Sequence, residues 1–125
     1  MNEVRFVDTT LRDGQQSLWA YNMRTGMMVP VADQIDNAGF EAVEFGGPVE
    51  MPKCIKELRE GPWERYRLLI PKYNKTPLRL IHGTRSCFAI YPAALHQLYD
   101  TCMANVGVSE VRISDSWNDP KDWAW

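Results

Sequence analysis

Short apolar runs alternate with helix signals along this chain, and that alternation limits the fold more than any single motif. Val4–Val7 is an extended run that ends in the polar stretch "DTTLRDGQQS", Asp8 to Ser17. Thr25 and Gly26 offer a helix start, Met28, Val31, Ala32 and Ile35 follow at helical spacing, and Gly39 offers a stop. Pro30 fits such a helix only in its first turn, because it lacks the N–H that an interior position donates. Ala42–Phe45 predicts a second strand, closed by Gly46-Gly47-Pro48. Met51, Cys54, Ile55 and Leu58 predict an amphipathic helix ending at Gly61. Pro62 restarts a helix with Trp63, Tyr66, Arg67 and Ile70 on one side, and Pro71 ends it. Leu78–Ile81 is a third strand, Leu95, Leu98, Tyr99 and Cys102 mark a helix before Gly107, and Glu110–Ser114 is a fourth strand. The order β-α-β-αα-β-α-β calls for a parallel sheet with crossover helices.

At 125 residues, with 45% hydrophobic and 24% charged residues, the chain is the size of one small domain and can supply a real core. A net charge of -2 without a basic run argues against nucleic acid as a partner. The longest apolar stretch, Met27–Ala32, is interrupted by Pro30 and is far too short to span a membrane. "MNEVRF" is no apolar signal segment, so secretion is not expected. Cys54, Cys87 and Cys102 form no CxxC pair and read as reduced cytoplasmic thiols, not as a disulfide framework or a zinc site. Near the other end, Asp119 caps a helix start with Pro120 at its first position, yet only Lys121–Trp125 remain to continue it. Trp117, Trp123 and Trp125 would have nothing to pack against, so the chain reads as the N-terminal part of a longer fold. A frayed tail on a complete four-stranded domain is the alternative.

In parallel α/β folds chemistry gathers at the C-terminal ends of the strands. Here those ends carry Asp8 with Arg12-Asp13-Gly14-Gln15-Gln16, then Glu44, then His82-Gly83 with Arg85, then Asp115 with Asn118 and Asp119. Period-two alternation puts Glu44 on the face opposite Val43 and Phe45. If those two face the helices, Glu44 points to the interior of the fold, where a carboxylate needs a partner such as Arg12. An edge strand with Glu44 in water is the bland alternative. Asp13 can ligate a hard cation and Arg12 can stabilise a developing oxyanion, although Asp-Gly is also a common turn dipeptide. One carboxylate does not complete a catalytic metal site, which takes about three protein ligands. His82 reads as a ligand, an acid/base or, more commonly, a satisfied buried histidine; His96 has no companion at metal spacing.

"DTTLRDGQQS" resembles the first-strand signature of a metal-dependent TIM-barrel family. That family contains the carboxyltransferase domains of pyruvate carboxylase, oxaloacetate decarboxylase and transcarboxylase. Its other branch holds Claisen-type synthases and lyases such as isopropylmalate synthase and hydroxymethylglutaryl-CoA lyase. The carboxyltransferase branch is the closer match, through "SLWAYNMRTGMMVPVADQIDNAGFEAVEFGG", "LREGPWERYRLL", "TPLRLIHG" and "VRISDSWNDP" in that order. The resemblance implies an α/β fold, with residues 1–125 forming the N-terminal half, about four βα units, of a TIM (β/α)8 barrel. It implies that Arg12 stabilises enolate charge, Asp13 binds a divalent metal (Zn, Mn, Mg or Co), Gln16 contacts a 2-keto acid and Glu44 holds the arginine. His82 stands where the family has an arginine that grips the keto-acid carboxylate; Arg85 could reach in instead, and Tyr91 matches a substrate-contacting tyrosine after a two-residue shift. Gly14 and Gln15 stand where the carboxyltransferases usually have Ala-His, and Gly14 resembles the Claisen branch.

The expected activity is carboxyl transfer between biotin, on a separate carrier domain or subunit, and a pyruvate- or oxaloacetate-like 2-keto acid. The expected partners are that acid, the biotin carrier and the remaining half of the barrel, in a cytoplasmic oligomer. The remaining metal ligands of the family, a His-x-His pair and a carboxylated lysine, come from later strands, so this chain alone is expected to be inactive. A Claisen-type acyl-CoA enzyme and a non-catalytic half-barrel that binds a partner are the alternatives.

Overall fold

The computed structural model describes residues 3–83, 91–117 and 119–123. Among these residues four strands form one sheet: β1 (Val7–Asp8), β2 (Ala42–Gly46), β3 (Leu78–His82) and β4 (Glu110–Ile113). All neighbours pair in parallel and the spatial order equals the chain order. Each return to the start of the next strand therefore passes through helices: α1 (Gln15–Trp19) and α2 (Thr25–Asp36), then α3 (Glu50–Lys53) and α4 (Pro62–Leu69), then α5 (Ala93–Asn105). A sequential parallel ladder of this kind is what the first half of a TIM barrel requires.

The core lies between the sheet and its helices. Val43 and Phe45 of β2 and Leu78 and Leu80 of β3 pack with Met28 and Ala32 of α2, Tyr66 and Leu69 of α4, and Tyr99 and Met103 of α5. Phe45 meets Tyr66 edge-on at 5.5 Å between ring centroids. Burying one such Leu or Phe is worth about 1.5–3 kcal/mol, and these contacts set which sheet face meets the helices. The opposite face takes the alternate residues, Glu44, Arg79, Glu110 and Arg112, and is charged. Arg79 Nε donates to Glu110 Oε2 at 2.8 Å across the β3–β4 pair.

Several local expectations need correction. Pro30 is not in the first turn, since α2 begins at Thr25. The helix continues because the carbonyl that loses its donor belongs to Gly26, which is exposed and can be hydrated. The stretch after β1 is not an irregular loop but a π-helical turn, Thr10–Gly14, that runs directly into α1. The expected single helix over Met51–Leu58 begins at Glu50 and widens into a π-helical turn at Cys54–Leu58, ending on Arg59 with φ 58°. The first strand is shorter than expected, leaving Val4 and Phe6 exposed at the sheet edge.

Gly39 (φ 82°) and Gly107 (φ 111°) end their helices in the left-handed region that glycine adopts without strain. Buried Asp36, at the end of α2, accepts backbone N–H groups of Asn74, Lys75 and Thr76 and so ties that helix to the approach of β3. Lys121 N donates to Asp119 Oδ1, so Asp119 caps the final turn, Pro120–Trp123. Among the described residues no helix is long and apolar enough to cross a membrane.

Candidate functional site

Asp8, the last residue of β1, starts the site by accepting from Thr10 Oγ1 at 2.8 Å and Thr10 N at 3.2 Å. This capping closes the π-helical turn, in which Gly14 N reaches back to Thr9 O at 3.0 Å. Leu11 is fully buried beneath the turn. Anchored by that apolar contact, Arg12 and Asp13 project at the C-terminal edge of the sheet.

Glu44 lies on the charged face and is 1% exposed. Its strand is internal, between β1 and β3, so the edge-strand alternative does not apply. The carboxylate is clasped from two sides. Arg12 donates through Nε to Oε1 at 2.5 Å, and its NH2 also contacts that oxygen. Arg112 of β4 donates through Nε to Oε2 at 2.7 Å and through NH2 to Oε1 at 2.9 Å. Burial pushes the Glu44 carboxyl up, but the hydrogen bonds from Arg112 and the charges of Arg12 and Arg112 outweigh it and hold the group below the usual carboxylate range. Glu44 is therefore ionised at neutral pH, and it fixes two guanidinium groups in a geometry they would not hold alone.

The third nitrogen of Arg12, NH1, donates to Asp13 Oδ1 at 2.8 Å. Asp13 keeps half of its side chain exposed, whereas that of Arg12 is only 10% exposed. Asp13 is thus an accessible oxygen donor beside a buried cation whose terminal nitrogens still carry further N–H groups. One turn on, Gln16 Oε1 accepts from Tyr21 OH at 2.5 Å. That contact follows two residues in the left-handed region, Ala20 (φ 47°) and Tyr21 (φ 63°), a strain of roughly 1–2 kcal/mol each for residues with a side chain. With its oxygen engaged, the Gln16 amide presents N–H groups.

His82 and Tyr91 lie elsewhere. His82 shares its strand face with Leu78 and Leu80, so it points to the helices, opposite to the face that carries Glu44. Its Nδ1 pairs with Asp100 Oδ1 at 2.7 Å and its Nε2 with His96 Nδ1 at 2.5 Å. With both ring nitrogens engaged inside the chain, His82 is the satisfied buried histidine of the sequence reading, and His96 is a companion that sequence spacing does not reveal. Burial and the neighbouring His82 lower the pKa of His96. Tyr91 stacks edge-on against His96 at 5.9 Å. His82, Tyr91, Met51, Ile55, Leu95 and Tyr99 help to line a cavity of about 390 Å³. Arg85 lies outside the described residues.

Arg112 is the site residue that the sequence reading missed. The alternation that turns Glu44 to the interior also turns Glu110 and Arg112 there, but the match between Arg112 and Glu44 depends on the register of three strands. Glycine shapes the site as well. A Cβ at Gly47 would stand 2.5 Å from Ile81 O, so only glycine lets the chain leaving β2 pass the end of β3. Among the described residues no three His, Cys, Asp or Glu side chains are grouped as a complete metal site. Asp13 supplies one suitable oxygen, and the donors that would complete a metal site are not in this group.

Comparison with known proteins gives the site its context. No family model matches the chain. A pyruvate carboxylase subunit from Methanocaldococcus jannaschii is 36% identical over 95% of this chain and 21% of its own length. The 5S subunit of methylmalonyl-CoA carboxyltransferase from Propionibacterium freudenreichii is 33% identical over 98% of this chain and 25% of its own length. A 2-isopropylmalate synthase from Listeria monocytogenes is 33% identical, but over only 49% of this chain. Among solved structures, the carboxyl transferase domain of Rhizobium etli pyruvate carboxylase (Y628A, with pyruvate) superposes with a TM-score of 0.84 at 26% identity, covering 98% of this chain and 21% of that one. The chain thus spans about a fifth to a quarter of the length of these carboxylase relatives. Over nearly its whole length it is homologous to part of the carboxyltransferase TIM-barrel domain of pyruvate carboxylase-type enzymes.

Proposed function

We propose that residues 1–125 form the N-terminal half of a carboxyltransferase barrel that moves a carboxyl group between carrier-bound biotin and a 2-keto acid. The observation that carries this reading is the Arg12–Glu44–Arg112 clasp beside a half-exposed Asp13 at the end of β1. Arg12 would stabilise negative charge growing on the keto oxygen as the substrate becomes an enolate, without reorganising, because Glu44 already holds it. Gln16, oriented by Tyr21, would donate to the keto acid. Asp13 would contribute one ligand to a divalent metal, whose chemistry when bound is Lewis-acid polarisation of the keto oxygen. Further ligands would come from the other half of the barrel. His82 and Tyr91 line the cavity on the helix side of the sheet, with both His82 nitrogens engaged, and are assigned no substrate contact in this reading.

The assembly this implies contains the remaining strands, a biotin carrier and further copies of the subunit. A cytoplasmic setting fits the free thiols of Cys54 and Cys102. The Claisen-type alternative rests on Gly14 and on a relative that matches half of the chain, and ranks second for that reason. The test is Arg12→Lys in the full-length protein, assayed by oxaloacetate decarboxylation. Lysine keeps the charge but cannot clasp Glu44 and Asp13 together, so kcat is expected to fall about 100-fold or more. Unchanged kcat rejects Arg12 as the oxyanion-stabilising group.

A further inference from the structure

A second buried carboxylate lies directly behind the candidate site and has no part in the reading above. Glu50, at the first position of α3, is 1% exposed. Its Oε1 accepts from Tyr66 OH of α4 at 2.7 Å. Its Oε2 faces Gln15 Nε2 at 3.5 Å, a long contact that orients more than it binds. The same nitrogen donates to Leu11 O at 2.6 Å. The Leu11 carbonyl can only accept, so the Gln15 amide keeps its nitrogen on the side of Leu11 and Glu50. Leu11 immediately precedes Arg12, and Gln15 closes the turn that carries Arg12 and Asp13.

Room for the carboxyl comes from Gly46, the last residue of β2. A Cβ there would stand 2.8 Å from Glu50 Oε1. Glu50 therefore touches, at once, the strand that carries Glu44, the helix behind it and the turn that carries Arg12. We propose that Glu50 is a positioning residue for Arg12 and Asp13, acting through Gln15 and the Leu11 carbonyl. The importance of that position for catalysis rests on the proposed function, but the mechanical link does not. The charged and titratable groups around Glu50 are Tyr66 and Arg65 of α4, Tyr99 of α5, Tyr21 after α1 and Cys54 on its own helix. Among them Tyr66, through its hydrogen bond, and Arg65, through its charge, oppose the effect of burial; no hydrogen bond joins Arg65 to Glu50 among the described contacts.

The test is hydrogen exchange in the full-length protein, read on the peptide spanning residues 9–17, with Glu50→Ala, Glu50→Gln, Gln15→Ala and the double variant Glu50→Ala/Gln15→Ala. Glu50→Ala is expected to speed exchange in residues 9–17 about tenfold while residues 78–82 stay protected. Glu50→Gln, which can still offer an oxygen to Gln15 and a donor to Tyr66, is expected to restore protection. The double variant is expected to exchange no faster than the faster single variant, since both break one chain of contacts. Additive effects, or unchanged exchange with Glu50→Ala, overturn the proposal. If Glu50→Ala does not fold, Tyr66→Phe loosens the same anchor by removing only its donor, and unchanged exchange at residues 9–17 then overturns the proposal.

Activity provides a separate readout. Under the proposed function, kcat for oxaloacetate decarboxylation falls with Glu50→Ala, KM stays close to that of the wild type, and Glu50→Gln rescues the loss. A wild-type protein without that activity removes the functional reading and leaves the exchange result to decide the positioning role.

Discussion

Glu44 and Glu50 are six positions apart, flank the same Gly46-Gly47 segment, and each leaves only 1% of its surface to solvent, Glu50 deep among the helices and Glu44 under the arginines of the charged face. Their carboxyls nevertheless go in opposite directions. At Glu50 burial dominates, Tyr66 and Arg65 only partly offset it, and the pKa is pushed up from 4.5 to about 7. At Glu44 the penalty of burial is outweighed by Arg112 and Arg12, and the pKa goes down. Low solvent exposure alone does not decide the charge of a carboxylate; the depth of burial and the cations bonded to it do. In this chain one glutamate is held ionised at neutral pH by the two arginines it locks, and the other is an anchor close to its own titration point.

That contrast can be broken most forcefully at Glu44. Glu44→Ala leaves Arg12 and Arg112 facing each other without their shared anion. Removing one partner of a buried ion pair typically costs about 3–5 kcal/mol; because the Arg112 side chain is 43% exposed, a loss at the lower end of that range is expected in urea unfolding of the full-length protein. A loss under about 1 kcal/mol would mean that solvent already screens the cluster, as it does for surface pairs.

A smaller effect is expected at Glu50, and it depends on pH. Between about 4.5 and 7 the folded chain keeps a proton that the unfolded chain has released. Stability contributed by Glu50 is therefore full below pH 4.5 and is lost as pH rises through 7. Glu50→Gln removes this slope. Comparing unfolding at pH 4 and pH 8, the difference between variant and wild type is expected to move in favour of the variant by on the order of 2–3 kcal/mol. A difference independent of pH would show that Glu50 is not protonated above its ordinary range.

Much of this arrangement is legible in the sequence, for reasons that stop at identifiable places. Helix and strand periods carry the β-α order, because apolar residues must face one layer of neighbours. Two-residue alternation along Ala42–Phe45 turns Glu44 to the interior before any contact is known. Arg112 is hidden because its partner is set by strand register, which adds up through β3 and contains a shift between Glu44 and Gly46. The His82–His96 pair is hidden because it joins a strand end to a helix across a connection that carries no period. The two π-helical turns are hidden because one extra residue per turn leaves no mark in local composition. Glu50 falls among the polar positions of an amphipathic helix, and only the close approach of Gly46 and Tyr66 shows that it is inside.

In the proposed function the turn held by Glu44 presents Asp13 to a divalent metal in a keto-acid site. The direct measurement is a calorimetric titration of Mn²⁺ or Zn²⁺ into chelator-stripped full-length protein, wild type against Asp13→Ala. Loss of a ligand from a site with about three or four protein donors is expected to weaken binding at least 100-fold while the far-ultraviolet spectrum stays that of the wild type. Equal affinity and stoichiometry in the two proteins would exclude Asp13 as a ligand, because the carboxylate beside Arg12 would then take no part in holding the metal.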